Sequence, residues 1–210
     1  MWFFNKSKNF ENIHKISEEV RILIKQEKWK KAEKLLTHAI DKIAKDCGFN
    51  EKMLTQNSIV SILMKNGAEK LPRKDLSFLF CHRGTVYRNM HKFNPAASDY
   101  AKAIRLDESN WQAYFLQGNV FVQDLKEDFE AALMNYDIAL SLNPQNPDIY
   151  YNRGLLHKFL GDFGHAISDF ETVLMLNPTH SGSKNNLSGL KAIKRGLNDH
   201  FKSSFENYIN

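Results

Sequence analysis

The sequence predicts an all-α fold, a solenoid of short antiparallel helix hairpins closed by a C-terminal capping helix. Three observations predict it. First, one pattern occurs three times: FCHRGTVYRNMHKFNPAASDYAKAIRLDE from Phe80, YFLQGNVFVQDLKEDFEAALMNYDIALSLNP from Tyr114 and YYNRGLLHKFLGDFGHAISDFETVLMLNP from Tyr150. Second, small residues keep its register. Gly84, Gly118 and Gly154 lie 34 and 36 residues apart, and Ala96, Ala132 and Ala166 lie 36 and 34 apart. The exchange of the two spacings places a two-residue insertion in the turn of the middle copy, around DLKEDFE. Third, Pro144 and Pro178 close the last two copies, and the residue before a proline is pushed out of the helical region. A period of this size decides the fold, because a lone hairpin cannot bury its apolar face and a stack of neighbours can.

Each element follows in order. Residues 1–10 form an N-terminal arm whose Trp2, Phe3, Phe4 and Phe10 fray or cap the first helix, with an interaction arm as the alternative. Residues 11–46 form a degenerate first hairpin. Ile13, Ile16, Val20, Leu23 and Ile24 recur at helical spacing, and Ala32, Leu35, Leu36, Ala39, Ile40 and Ile43 share a face of the second helix. Its glycine is missing, as suits a terminal repeat that caps the stack. Ala32 and Ala96 are 64 residues apart, one repeat and about 30 residues more. Residues 47–76 are therefore an insert, with a helix from Met53 to Met64, a loop, and Pro72 in the first turn of the next helix. Residues 77–178 hold the three repeats. Residues 179–210 form a capping helix and tail. Leu187, Leu190, Ile193 and Leu197 make its apolar stripe, and Phe201, Phe205, Tyr208 and Ile209 extend an apolar face past Gly196 as a further short helix. The sequence leaves open whether the insert or the tail fills a groove.

The repeated residues resemble the tetratricopeptide repeat family, whose motif runs aromatic, Leu-Gly, Tyr, Ala-x3-Phe and Pro. The last copy carries Tyr150, Arg153, Gly154, His157, Ala166, Phe170 and Pro178. The middle copy carries Tyr114, Gln117, Gly118, Phe121, Ala132, Tyr136 and Pro144. The first carries Phe80, Arg83, Gly84, Tyr87, Ala96 and Tyr100, with Glu108 in place of Pro. The family's Trp and its Leu before Gly are absent. Gly and Ala at facing positions let two helices approach closely, and the aromatics fill the space between hairpins.

Composition narrows the function classes. A chain of 210 residues with 42% hydrophobic and 25% charged residues has ordinary globular composition. No run of 18 apolar residues exists, so no transmembrane segment is expected, and the start MWFFNKSKNF lacks the apolar core of a secretory signal. Cys47 and Cys81 form no CxxC and read as free thiols in a reducing, cytoplasmic setting. Residues 75–178 carry 8 basic and 13 acidic residues, whereas the flanks 1–46, 47–74 and 179–210 are net +4, +3 and +3. The basic residues alternate with acids, so nucleic acid is not the expected partner. Oligomeric state is not legible.

No catalytic chemistry is expected. The chain has no phosphate loop, no HExxH and no zinc-ligand spacing, and neither cofactor nor metal is predicted. His157 and His165 are eight apart and not on adjacent turns, and His157 stands at the family's Tyr position, so it reads as a packing residue. Adjacent helix residues such as Cys81 and His82 diverge and cannot pair as nucleophile and base.

The resemblance implies instead a protein-interaction scaffold or adaptor, with the first helix of each hairpin lining a concave groove. The groove residues it implies are Arg88 and Asn89, then Phe115, Asn119 and Gln123, then Tyr151, Asn152, Leu155 and Lys158. Cys81, Phe159 and Asn186 fall on the same face. Rings suit apolar side chains and amides suit a peptide backbone. The alternatives are a structural subunit whose groove is filled by its own insert, its tail or a neighbouring chain, and a co-chaperone-like adaptor. The family's carboxylate clamp for chaperone tails needs asparagines and cations. The register Phe115, Asn119, Asn152, Gly182, Asn186 supplies the asparagines but no cation, so the clamp is not expected.

Overall fold

A computed structural model describes residues 2–47, 72–125 and 128–209, with the side chains of 2–12, 14, 123–125 and 197–209 outside the description. Every regular element among the described residues is helical. The chain divides into two compact units, Met1–Asp128 and Phe129–Asn210, each considered by itself. The division separates the two helices of the middle repeat.

Unit 1 contains α1 (Trp2–Lys25), α2 (Trp29–Asp46), α3 (Arg73–Asn89), α4 (Phe93–Leu106) and α5 (Trp111–Asn119), the last continued by a π-helical segment at Val120–Leu125. Helix α1 packs on α2, α2 on α3, α3 on α4 and α4 on α5. Its core joins Val20, Ala32, Leu36 and Ile40 from the first hairpin to Leu79, Phe80, Ala96 and Tyr100 from the next. Helix α1 starts at Trp2, so residues 2–10 continue the first helix and are not a separate arm. No proline or glycine interrupts them. Pro72 stands at the N-cap of α3. The predicted helix at 53–64 lies outside the described residues. A π-helix bonds i to i+5, so it takes more residues per turn, and it falls where the middle copy carries its insertion.

Unit 2 contains α6 (Phe129–Leu142), α7 (Pro147–Phe159), α8 (Phe163–Leu176) and α9 (Ser181–Ile209). They pack in sequence, with Ala166, Phe170 and Leu190 as the core and Tyr151, Leu155, Phe163, Ile167 and Leu187 against it. Helices α6 and α8 each stop two residues before Pro144 and Pro178. Two expectations for the C-terminal segment are corrected. Helix α9 runs through Gly196 to Ile209 as one helix, and Ile193 is 47% exposed. The 29 residues of α9 span about 43 Å and the 14 of α8 only about 21 Å, so the stripe outruns the hairpin it covers.

Three hairpin turns share one backbone solution. Glu27, His91 and Gly161 have positive φ of 54°, 57° and 81°, and each stands five residues before the alanine of its repeat, Ala32, Ala96 or Ala166. In each turn this residue donates its N–H three residues back, and the next residue donates five back: Glu27 to Ile24 and Lys28 to Leu23, His91 to Arg88 and Lys92 to Tyr87, Gly161 to Lys158 and Asp162 to His157. This is a Schellman closure. Behind two of the turns, small residues set the helix separation. A Cβ on Gly84 would lie 2.7 Å from Tyr100 Cε1, and one on Gly154 would lie 3.1 Å from Phe170 Cε1.

Candidate functional site

The outward faces of the first helices are fixed by what those helices bind behind them. In unit 1, Arg83 is 3% exposed and donates through Nε to Asp99 Oδ2 (2.7 Å) and through Nη2 to Asp99 Oδ1 (3.1 Å). Its Nη1 donates to Thr37 Oγ1 on α2, and Lys102 Nζ adds a second cation to Asp99 Oδ1 at 3.0 Å. Unit 2 repeats the device. Arg153 donates to Asp169 through Nε (3.0 Å) and Nη2 (2.7 Å), and through Nη1 to Asp137 on α6. Burial works against the Arg153 charge, but the hydrogen bonds and charge of Asp169 and Asp137 outweigh it and raise the guanidinium above its usual pKa. Each arginine lies over an aromatic ring three residues earlier, Phe80 at 5.2 Å and Tyr150 at 5.7 Å. The sequence reading missed Asp99 and Asp169. Their signal was the constant spacing of 16 from arginine to aspartate in two of the three copies.

Another face of α3, α7 and α9 carries a series of amides with one geometry. Asn89 Nδ2 donates to Thr85 O at 2.8 Å, Asn152 to Asp148 O at 2.8 Å and Asn186 to Gly182 O at 2.9 Å. Each amide is held by the carbonyl one turn back, which fixes its rotamer. Within unit 2, Asn152 on α7 and Asn186 on α9 are 34 residues apart, one repeat. Lys158 Nζ donates to Asn186 Oδ1 at 2.7 Å and so brings a cation into this face. Tyr151 meets the His180 ring edge-on at 4.6 Å, and a Cβ on Gly182 would come 2.6 Å from its hydroxyl oxygen. Glycine is therefore what lets the Tyr151 ring lie against the first turn of α9. Phe159 is 71% exposed at the end of α7.

The proposed groove residues divide between the units. Unit 2 brings together Tyr151, Asn152, Leu155 and Lys158, with Leu155 turned largely into the core cluster. In unit 1, Asn89 is exposed on α3, while Arg88 there and Phe115 on α5 are half-buried. Asn119 is only 6% exposed and offers almost no surface. Gly118, Asn119 and Val120 are buried in succession, so α5 is covered on more than one face at this level. Cys81 is likewise buried, and burial pushes its thiol up to about 12. Gln123 stands on the π-helical segment, and its side chain lies outside the description.

A second cluster forms at the α7–α8 turn. His165 Nδ1 lies 2.6 Å and His157 Nδ1 3.3 Å from Asp162 Oδ2, and the two rings stack at 5.1 Å. The expectation that His157 and His165 stand apart is therefore corrected. They lie on two helices that face each other across the turn, so spacing along one helix did not apply. Burial lowers the His157 pKa, against the pull of Asp169 and Asp162. Desolvation opposes the Asp162 charge, and the hydrogen bonds and charge of His165 with the nearby His157 outweigh it, holding the carboxyl below its usual range. Among the described residues no helix is long and apolar enough to cross a membrane.

Comparison with known proteins bears on the fold. Models described as tetratricopeptide repeat match residues 79–110 and 147–180, and one described as TPR repeat matches 125–161. The human mitochondrial import receptor subunit TOM70 is 29% identical over 100 residues, 46% of this chain and 16% of that protein. Human peptidyl-prolyl cis-trans isomerase FKBP4 is 32% identical over 136 residues, 59% of this chain and 29% of that protein. The chain thus spans less than a third of the length of these relatives. Among solved structures, MamA superposes over 93% of this chain and 89% of its own with a TM-score of 0.62 at 18% identity. The first TPR of Spaghetti (RPAP3), bound to the HSP90 peptide SRMEEVD, superposes over 58% of this chain and 95% of its own with a TM-score of 0.55 at 23% identity. At these identities the two structures bear on the fold alone.

Proposed function

The chain belongs to the tetratricopeptide repeat family, and we propose that it is a protein-interaction adaptor that binds a peptide segment of a partner on the amide-bearing face of its first helices. The observation that carries this reading is the pair Asn152 and Asn186 in unit 2. Both amides are fixed by the carbonyl one turn back, one repeat apart, with Lys158 at one and Tyr151 between the helices. Amides repeated at a fixed interval suit a peptide backbone, whose own donors and acceptors recur regularly, while the exposed ring of Phe159 suits an apolar side chain. Within unit 1, Asn89 repeats the same amide geometry on α3.

Lys158 favours an acidic peptide over a basic one, because an ammonium strengthens its hydrogen bonds to a carboxylate. The acidic HSP90 peptide held by the RPAP3 repeat is a ready probe. The test is fluorescence polarisation with that peptide, a charge-reversed peptide and peptides selected from a random display library. Asn152→Ala and Lys158→Ala should each weaken a selected peptide by about tenfold, the cost of one lost hydrogen bond to a charged or well-fixed group. Selected peptides that bind the double variant as tightly as the parent protein would refute the assignment of this face.

A further inference from the structure

The α7–α8 turn carries chemistry that peptide binding does not use. Its backbone is the same Schellman closure found in two other turns, with Gly161 at φ 81° and the Asp162 N–H bonded to His157 O at 2.8 Å. The register of this turn is set apart by its side chains. The positions held by His157, Asp162 and His165 are Leu23, Lys28 and Lys31 in the α1–α2 turn and Tyr87, Lys92 and Pro95 in the α3–α4 turn.

Asp162 has both oxygens committed. Oδ1 accepts the His165 backbone N–H as the N-cap of α8, which turns Oδ2 toward both imidazoles. One ligand atom from each of the three side chains lies within 4.8 Å of the other two. A single ion pair needs only one imidazole. Here a second ring, from another helix, aims the same nitrogen at the same oxygen.

We propose that His157 Nδ1, Asp162 Oδ2 and His165 Nδ1 form a binding site for a divalent transition metal, with Zn²⁺ as the ion whose ligand preference they fit best. Tetrahedral Zn²⁺ with ligand bonds of about 2.0–2.1 Å sets its donor atoms on the order of 3.3 Å apart. The His157–Asp162 separation of 3.3 Å already matches. The His165 nitrogen has to retreat from 2.6 Å by roughly 0.7 Å, and its side chain is 74% exposed and free to turn. Among the described residues the space beside the two turn glycines is open: a Cβ on Gly161 would meet no atom within 4 Å, and one on Gly164 would meet only Asp162 Oδ1 at 3.8 Å. Water or a partner's donor can therefore complete the coordination. The metal clips the end of α7 to the start of α8, independently of whether the Asn152–Asn186 face binds peptide.

The test uses the full chain, stripped of metal with a chelator and titrated with Zn²⁺ by calorimetry. One equivalent should bind. Asp162→Asn keeps an N-cap acceptor, since Asn caps as well as Asp, but removes the anionic ligand. His165→Ala removes an exposed donor without touching the core. Each should weaken Zn²⁺ at least about tenfold, the effect seen even for outer-shell partners of metal ligands. Co²⁺ gives a second readout, since the parent protein should show the visible bands of a tetrahedral ion and both variants should lose them. Helicity by circular dichroism, unchanged in both variants, ties the loss to the ligands. Absence of Zn²⁺ binding tighter than roughly 100 µM, or binding equal in the parent and both variants, overturns the proposal.

Discussion

Replacing Asp99 with Asn tests what the buried arginine pairs do. The Asp99 side chain is 2% exposed and holds two cations at once, Arg83 at 2.7 Å and Lys102 at 3.0 Å. An amide takes away the charge and leaves both cations buried beside a group with one acceptor. Breaking a buried pair from one side costs about 3–5 kcal/mol, because a buried charge loses a carboxylate that water cannot readily replace. Asp169→Asn is the internal comparison. Arg153 is 22% exposed and keeps Asp137, itself 61% exposed, so solvent and a second carboxylate both remain, and the cost should be about 1–2 kcal/mol. All three tryptophans, Trp2, Trp29 and Trp111, lie in residues 1–128, so tryptophan fluorescence during urea denaturation follows unit 1. With a urea slope of about 2 kcal/mol per M, Asp99→Asn should lower the unit 1 midpoint by roughly 2 M. The cost of Asp169→Asn is read in the same titration from the helical signal by circular dichroism. A cost for Asp99→Asn below about 1 kcal/mol, or below that of Asp169→Asn, would refute the reasoning, since it would mean that Arg83 and Lys102 reach water once released.

Further outcomes follow from the same geometry. Gly84→Ala gains about 1 kcal/mol of helix propensity but drives a methyl to 2.7 Å from the fully buried Tyr100, so a net loss of about 1–2 kcal/mol is expected by calorimetry. Gly154→Ala, with nearest atoms at 3.1 Å, should stay within about 1 kcal/mol of neutral in the same experiment. Burial, with help from Arg21, lowers the His82 pKa from 6.5 to about 4, so the unfolded chain takes up a proton that the folded one refuses between those values. Unit 1 stability should therefore be complete above pH 6.5 and fall by up to about 3 kcal/mol as pH drops to 4, and His82→Phe should flatten this part of the profile. Glu27→Gly and His91→Gly relieve positive φ angles and should each raise thermal stability by up to about 1 kcal/mol, whereas Gly161→Ala should lower it by about the same amount.

The repeat was readable from Gly84, Gly154, Ala96 and Ala166 because these positions are defined by steric exclusion, and only a few residue types satisfy it. Ala32 was readable for the same reason and is fully buried even though its hairpin lacks the glycine. The turns were less readable. Glu27 and His91 do not look like left-handed residues, and the two backbone bonds of each closure outweigh their preference. Contacts across a turn or between helices were hidden as well. Helical periodicity relates residues on one helix, so it found neither Asp99 behind Arg83 nor His165 beside His157. The groove residues were assigned by face alone, which could not show that Asn119 is buried or that Lys158 is drawn to Asn186. The length of α1 and the continuity of α9 through Gly196 escaped for a different reason: a single glycine or a cluster of aromatics lowers helix propensity by an amount that the rest of a long helix overrides.

The Schellman closures make the hairpin tips interchangeable fittings. Backbone atoms close each of them, while the side chains around the tip differ in what they add: Asp162 caps α8, and Leu23 and Tyr87 pack against the unit 1 core. Glu, His and Gly all serve at the left-handed position, and Lys or Asp follows it. Exposed donor groups at the tip, such as His165, can change without repacking a helix, whereas a change at Tyr87 removes a ring packed against the core. Tyr87→His, Lys92→Asp and Pro95→His would write the three donors of His157, Asp162 and His165 onto the α3–α4 turn, with the loss of that ring.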